Sequence, residues 1–405
     1  MANLRMVKNE RGKETLTRKG TFFDYSMLII VLFLVVFGLV MVYSTSSYSA
    51  MIKTGDSAYY FKNQMRATAI GLVAMFAVTV IDYHIWYKFK WIAYIGSLIS
   101  VVLVLTPLGM EFNGARRWIG VAGFSVQPAE IVKLAIIIML AAFISYSGNK
   151  MKTFRNNLVF CLMAGIAGGM IFIITKNMSS AIIILGIAYV MLMIGNSKPR
   201  WLIIATVVGL LAVVAFLIYF FGNVSSAEHF RFRRLLAWRN PENYASNVGM
   251  QTLQALYALG SGGFFGKGLG QSIQKLGFLP EAQNDMVFSI ICEELGLFGG
   301  ICLILLFMLL IWRFMVIANN APDLFGSMLV VGVMAHISIQ VVLNVAVVTN
   351  LIPNTGVTLP FISYGGTSVL FLLVEMGIVL NVSRQIRVPV TVSGKSREER
   401  TDKTK

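Results

Sequence analysis

The sequence predicts an all-α, polytopic integral membrane protein of about ten transmembrane helices. Two observations support this fold class. Of the 405 residues, 57% are hydrophobic and only 13% are charged, and the mean hydropathy is +0.75. A soluble domain does not hide that much apolar surface. The apolar residues also fall into runs of about 20, the length that a helix needs to cross the hydrocarbon core.

Ten apolar runs are long enough to span a membrane. The first begins near Phe22 and is too long for the core of a signal peptide, so we interpret it as a retained helix. The uncharged run from Leu324 to Val374 has 51 residues, and Pro353 and Pro360 divide it into two spans. The predicted spans are 24–46, 65–83, 89–108, 127–146, 157–175, 178–196, 200–221, 285–314, 324–350 and 363–383.

The basic residues predict the orientation. A basic N-terminal arm (1–21) and a charged tail (389–405) flank the membrane domain (22–388), and the positive-inside rule places both termini in the cytoplasm. An even number of spans is consistent with this placement. Segments 108–126 and 351–362 are then outside, together with a large extracellular loop, 222–284, between predicted helices seven and eight. The loop is unusually basic (Arg231, Arg233, Arg234, Arg239), which suggests that its positive charge has another role.

Composition also excludes several function classes. The net charge of +16 comes from basic residues at loop ends, so it indicates membrane orientation and no nucleic-acid partner. The three cysteines form no CxxC pair, and the three histidines are scattered. No metal site can therefore be assigned from the sequence.

Asp285 is the leading candidate for chemistry. It lies where the eighth span begins, after the glycine-rich run 260–270 and the element Leu279-Pro280-Glu281. Asn284 or Asp285 could cap the helix. A carboxylate at the edge of an apolar cavity also has a raised pKa and can act as a general base. Both interpretations stay open from the residues alone.

Other charged and polar residues offer two interpretations each. Glu130 and Lys133 share a helix face at the start of the fourth span, as a structural ion pair or as part of a polar pathway. Arg116 and Arg117 suit lipid headgroups or a pyrophosphate. Ser363 belongs to a small polar run that favours close helix packing or a polar cavity wall.

Adjacent acids and the glycine run are less informative. Glu293 and Glu294 point about 100° apart on a helix, so they do not form a two-carboxylate glycosidase pair. The glycine run departs from both the Walker and the GxGxxG spacing, which argues against nucleotide binding. We interpret it as a flexible outer loop packed close to a substrate or a helix.

Several long motifs resemble the SEDS family (shape, elongation, division and sporulation). They occur in the family's order over about residues 20–388 and include Asn113–Ile119, Phe124–Ala135, Leu279–Ala282, Glu293–Gly296 and Ile352–Ser368. The element Gly270–Lys275 is similar to the division and sporulation branch, the FtsW and SpoVE types, and differs from the elongation branch, RodA.

This resemblance implies a peptidoglycan glycosyltransferase that polymerises lipid II at the outer face of the bacterial cytoplasmic membrane, at the septum during cell division. The implied partners are lipid II and the nascent glycan strand, a class B penicillin-binding protein and other divisome proteins. The family's essential aspartate corresponds to Asp285. The expected substrate-binding residues are Arg116, Arg117, Glu130, Lys133, Lys275, Glu281 and Ser363.

The sequence departs from the family pattern at three places. Asn284 and Met286 flank Asp285 where threonine and phenylalanine are usual, and Asn177 stands where the family commonly has an acid. Glu375 replaces a residue that is typically uncharged. Asp285 itself is retained, so we expect activity.

The implied reaction is an inverting transfer. Asp285 would take the proton of the acceptor sugar's 4-hydroxyl, and cations such as Arg116, Lys133 and Lys275 would stabilise the departing undecaprenyl pyrophosphate. No cofactor is assigned, and a divalent cation, Mg²⁺ or Mn²⁺, is compatible with this chemistry. The alternatives are a lipid II flippase or transporter, a non-catalytic scaffold that recruits the transpeptidase, and a sporulation or elongation paralogue.

Overall fold

The computed structural model describes residues 4–8, 14–112, 115–121, 124–196, 200–223, 230–244 and 249–391. Helices dominate this part of the chain, which confirms the helical, polytopic fold class. Most of the predicted charged tail, from residue 392 onward, lies outside the described residues. So do Asn113 and Gly114 of the motif before Arg116, and the side chains of Arg231 and Arg233.

Each of the ten predicted spans overlaps a described helix of at least 18 residues. Seven of these helices are long and apolar enough to cross a membrane, namely the first, the fourth to sixth, and the last three in the chain. That the other three also cross stays a prediction. The helices are α1 (Tyr25–Thr54), α2 (Tyr59–Val80), α3 (His84–Leu103), α4 (Pro128–Ser147), α5 (Phe154–Ile174), α6 (Met178–Gly195), α7 (Arg200–Asn223), α8 (Phe230–Arg239), α9 (Met250–Ser261), α10 (Val287–Asn320), α11 (Leu324–Val348) and α12 (Gly366–Gln385).

The structure also has two small antiparallel sheets, which the all-α prediction did not include. β3 (Gly109–Phe112), β4 (Ala115–Val121) and β5 (Phe124–Val126) form one sheet in the segment that separates α3 from α4. β1 (Leu4–Lys8), β2 (Glu14–Thr21) and β6 (Arg387–Thr391) form the other. Because β2 pairs with β6, the two ends of the chain lie side by side, as an even number of spans requires.

A buried ion pair fixes the direction of α10 relative to the chain ends. The guanidinium of Arg313, near the end of α10, lies 2.6 Å from a carboxylate oxygen of Asp24, which caps α1. The last turns of α10 are therefore at the same end of the bundle as the chain termini. Asp285, which precedes α10, lies at the opposite end.

The segment 351–365 contains the predicted outside loop, 351–362, and much of it is buried against the helices. Residues 357 and 359–363 are buried within the bundle. An added Cβ at Gly38, in the middle of α1, would lie 2.2 Å from the carbonyl oxygen of Phe361. Non-helical backbone at this depth is tolerated only when protein groups satisfy its polar atoms. Here Gln340 of α11 supplies an amide donor to the Thr358 carbonyl at 3.0 Å.

The glycine run is part of the helix bundle because it pairs with a break in α10. At Gly296 the backbone leaves the helical region, with φ of 72° and ψ of −175°. The carbonyl of Glu293, freed by the break, accepts the N–H of Lys267 at 3.0 Å, and the N–H of Leu297 donates to Gly263 at 2.9 Å. A Cβ at Gly266 would lie 2.2 Å from the Glu294 carbonyl oxygen, so no other residue fits there. The predicted packing against a helix is confirmed, but the run is bonded backbone rather than a free loop.

Candidate active site

Asp285 lies two residues before α10, and neither it nor Asn284 caps that helix. The N-cap position is Met286, which makes no side-chain capping bond. The Asn284 amide donates instead to Glu281, and Asp285 Oδ1 accepts from Gln251 Nε2 at 3.1 Å. The capping interpretation is therefore wrong, and the carboxylate is available for another role.

The surroundings of Asp285 favour its protonated form. The pKa of this carboxyl is raised to about 7, chiefly by burial and to a smaller extent by the negative charge of Glu281, whereas its own backbone N–H, the charge of Arg234 and the Gln251 hydrogen bond oppose the rise. The side chain is still partly accessible at the surface. A carboxylate with a pKa near the working pH can accept a proton and release it again, which is what general-base catalysis needs.

Two elements, α9 and the segment 351–365, converge on this carboxylate. Gln251 lies on α9. Its side-chain oxygen, Oε1, accepts a hydrogen bond from Asn354 Nδ2 at 2.8 Å, which connects α9 to the segment 351–365. In that segment Gly356 approaches Asp285 closely, because an added Cβ there would lie 3.7 Å from Oδ2. Oδ1 is thus held by an amide while Oδ2 faces a residue without a side chain.

Two arginines supply positive charge near the carboxylate. Arg234 of α8 donates to the Asn354 carbonyl at 3.2 Å, and its charge interacts with that of Asp285. Arg117, on β4, is close enough to Arg234 for their charges to repel, and it donates to the carbonyls of Thr175 and Lys176 at 3.3 and 3.2 Å. The structure therefore brings the predicted Arg117 to the region of Asp285. Sequence reasoning did not assign roles to Arg234, Gln251 or Asn354. The basic stretch of the large loop was a signal for Arg234, and Asn354 lies in the motif Ile352–Ser368.

The predicted pair Glu130 and Lys133 forms a buried ion pair in the first turns of α4. Lys133 Nζ lies 2.8 Å from Glu130 Oε1, and both side chains are almost completely inaccessible. Glu130 Oε2 is buried without a hydrogen-bond partner. The structural ion pair is thus present, and a contact with substrate stays a prediction.

Lys275 and Glu281 line the same cavity, of about 270 Å³, between the end of α1 and the segment that precedes Asp285. The Lys275 ammonium nevertheless points into protein, 2.7 Å from Glu294 and 3.0 Å from the Ser44 hydroxyl. Its predicted contact with pyrophosphate stays a prediction, and a pyrophosphate there would compete with Glu294 for the ammonium. Glu281 is exposed and has a left-handed backbone, with φ of 54°.

Arg116 and Ser363 are less closely connected with Asp285. Arg116 is exposed, and its Nε lies 3.6 Å from Glu111 Oε2, which makes a weak surface pair. Ser363 is buried, and its hydroxyl accepts the Leu359 N–H at 2.8 Å, which closes a turn of the segment 351–365. The substrate-binding roles predicted for both stay predictions.

Among the described residues, no three His, Cys, Asp or Glu side chains come together in a geometry that could hold a metal ion. Asp285 and Glu281 offer two carboxyls, one of which is also bonded to Asn284. These residues do not make a recognisable metal site, and we derive no reaction step through a metal.

Apolar helices around a buried carboxyl and two arginines define a polytopic membrane protein with a charged candidate site at one end of its bundle. Residues 25–388 match the family described as cell cycle protein, which comprises FtsW, RodA and SpoVE. The chain belongs to this family, which confirms the resemblance drawn from its motifs.

Similar curated proteins have two kinds of name. Stage V sporulation protein E of Bacillus subtilis is 41% identical over 92% of this chain and 100% of its own length. A probable peptidoglycan glycosyltransferase FtsW of Trichlorobacter lovleyi is 38% identical over 91% and 95%. The FtsW of Bacillus subtilis is 35% identical over 90% and 91%.

Solved structures have the same fold. A chain from a peptidoglycan synthase complex, in a study of how polymerization and crosslinking are coordinated, superposes with a TM-score of 0.73. It is 25% identical, and the match covers 90% of this chain and 98% of that chain. RodA of Thermus thermophilus superposes with a TM-score of 0.65 at 25% identity, over 90% and 97%.

Proposed function

We propose that this protein is a peptidoglycan glycosyltransferase that polymerises lipid II, with Asp285 as its general base. The observation that carries the proposal is the state of Asp285: a partly accessible carboxyl with a pKa of about 7, one oxygen held by Gln251 and the other facing Gly356. The names of the similar FtsW proteins support the reaction class.

The reaction is an inverting transfer between two lipid-linked sugars. The Asp285 carboxylate accepts the proton of the acceptor's 4-hydroxyl while the oxygen attacks the anomeric carbon of the donor. The bond from that carbon to the pyrophosphate breaks, and undecaprenyl pyrophosphate leaves with the electron pair. Arg234 and Arg117 replace Lys275 as the cations that we propose for the leaving group, because Lys275 is paired with Glu294.

The test is polymerisation of labelled lipid II by purified protein with its partner. Asp285→Asn keeps the shape of the side chain but cannot take the proton, so we expect the rate to fall by about 10²–10⁴-fold. Asp56→Asn is the matched control, since it makes the same change at an exposed carboxylate that pairs with Lys62 and has no role in the mechanism. Polymerisation by Asp285→Asn at the wild-type rate would show that the base is elsewhere.

A second candidate function is transport of lipid II across the membrane, which one observation favours. His336 and Glu375 lie near the middle of α11 and α12, and they form a buried pair at 2.9 Å. Ionisable groups at this depth often mark a transport pathway. Vesicles that contain the protein and lipid II on one side would separate the two functions, because a transporter moves lipid II without forming glycan.

The proposed setting is the bacterial cytoplasmic membrane at the septum, with a class B penicillin-binding protein as the partner and other divisome proteins nearby. The peptidoglycan synthase complex among the similar structures supports a partnered enzyme. A role in sporulation is the alternative, favoured by the higher identity to stage V sporulation protein E than to FtsW from the same bacterium. A fluorescent fusion at the vegetative septum or only in sporulating cells distinguishes the two.

A further inference from the structure

Asn344 is a fully buried amide in α11 whose two N–H groups are both used outside its own helix. Its Nδ2 donates to the backbone carbonyl of Asp285 at 2.8 Å and to that of Val357 at 2.7 Å. A primary amide has two N–H donors, so each carbonyl receives one. The reverse orientation of the amide would set Oδ1 against two carbonyl oxygens, which fixes the assignment.

The two carbonyls belong to the two segments that meet at the candidate base. Asp285 precedes α10, and Val357 follows Gly356 in the segment 351–365. Both carbonyls lie outside regular helices, so neither has an intrahelical donor. Leaving such a buried carbonyl unsatisfied costs about 1–3 kcal/mol. Asn344 therefore holds the Asp285 backbone and the segment 351–365 at a fixed separation.

We propose that Asn344 is the positioning residue of Asp285. It acts through the backbone of Asp285 and sets the distance between that carboxylate and the segment that faces its Oδ2. Displacement of a catalytic group by about 1 Å can cost about 10²-fold in rate, so this one amide controls turnover without contacting the substrate. The inference rests on the proposed function, in which Asp285 is the base.

The same face of α11 offers a matched control. Gln340, one helical turn deeper, donates to the carbonyl of Thr358 at 3.0 Å and to its hydroxyl at 3.2 Å. It therefore fastens the segment 351–365 to α11, as Asn344 does, but its donor bonds go to Thr358 and not to Asp285. A comparison of the two residues separates positioning of the base from general anchoring of the segment.

The experiment measures kcat and KM for lipid II with purified complexes of wild type, Asn344→Ala, Asn344→Ser, Gln340→Ala and Asp285→Asn. Rates are normalised to the folded fraction, taken from thermal unfolding and size-exclusion profiles. We expect Asn344→Ala to lower kcat by about tenfold or more with little change in KM, because substrate binding does not involve Asn344. Asn344→Ser keeps one donor and should lose less. It also provides the measurement if Asn344→Ala does not fold. Gln340→Ala should keep kcat near the wild-type value.

The outcomes distinguish this inference from the proposed function. If Asp285→Asn is inactive but both Asn344 variants keep the wild-type kcat, the positioning role is wrong and the base assignment stands. Equal losses in Asn344→Ala and Gln340→Ala would also overturn it, because the effect would then come from the segment as a whole. Wild-type activity of Asp285→Asn would refute the proposed base, and the positioning role with it.

Discussion

Asp285 and the pair Glu293 and Glu294 are carboxylates within nine residues of one another, yet their environments differ. Glu294 Oε1 lies 2.7 Å from the ammonium of Lys275, and Glu293 Oε1 lies 2.7 Å from that of Lys267. The carboxylate of Asp285 accepts instead from the neutral amide of Gln251. A fully paired acid stabilises a fold, whereas an acid held by a neutral donor keeps a pKa at which it can exchange protons.

The ion pairs of Glu293 and Glu294 also hold the glycine run and the chain after it against α10. Both glutamates lie just before the break at Gly296, and their lysine partners lie in the chain that follows α9. Two ion pairs and the backbone bonds across the break therefore hold this chain against α10. The same chain continues through Glu281 to Asp285. The ion pairs of Glu293 and Glu294 therefore help to hold in place the segment that carries Asp285.

Breaking the Glu294 pair should have the largest effect on stability. Glu294→Leu leaves the Lys275 ammonium buried without its counter-charge, and loss of one partner of a buried pair costs about 3–5 kcal/mol. We expect a clearly lower midpoint of thermal unfolding in detergent. The double variant Lys275→Met with Glu294→Leu should recover most of the loss, because an apolar pair of similar volume removes the uncompensated charge. A single variant as stable as wild type would show that the pair does not hold the glycine run.

The pH profile should report the environment of Asp285 with a smaller effect. The base acts when ionised, so kcat/KM should rise with pH and reach half its maximum near pH 7, the pKa of Asp285 in the protein without substrate. The Gln251 bond lowers this pKa, so Gln251→Leu should move the midpoint to higher pH. The charge of Glu281 raises it, so Glu281→Gln should move the midpoint to lower pH.

Both shifts should be below about one pH unit, since one unit corresponds to about 1.4 kcal/mol of differential interaction. Rates over pH 5.5–9 with lipid II well below KM measure them. Shifts in the same direction for both variants would contradict the assignment of the titrating group to Asp285.

The smallest effect is expected at the surface. Arg116 is exposed, and its 3.6 Å pair with Glu111 is screened by solvent. Arg116→Ala should therefore change the free energy of unfolding by less than about 1 kcal/mol. Thermal unfolding at low and high salt checks this. A large loss would indicate that Arg116 has a packing role that its exposure does not suggest.

Much of the architecture was predictable because it depends on local composition. Runs of about 20 apolar residues predicted a helix at every position where the structure has a long one, and the prolines near residue 353 predicted the end of α11. Asp285 was also identified from the sequence, although its position and neighbouring residues alone could not distinguish a helix cap from a general base. The motif resemblance favoured the base, and the absence of a side-chain cap on α10 excluded the cap.

The local pair Glu130 and Lys133 could be predicted from its spacing, but the partners of Asp285 and Lys275 could not, because those contacts join residues from separate segments. Gln251, Arg234 and Asn354 come from three different segments, and no periodicity relates them to Asp285. Lys275 looked like a cation for pyrophosphate until the fold placed it against Glu294. The segment 351–365 looked like a polar loop because its glycine and prolines disfavour helix, and its amide partners on α11 are not adjacent in sequence.

The sequence by itself therefore determined the helices, the polytopic class and the identity of the candidate base, since apolar run length and motif order are local properties. Only the tertiary structure decided which carboxylate is neutralised by lysine and which is left with a neutral partner. The physical reason is that a pKa depends on burial and on nearby charges and hydrogen bonds, and the fold brings Arg234 of α8 and Gln251 of α9 to Asp285 from separate parts of the chain.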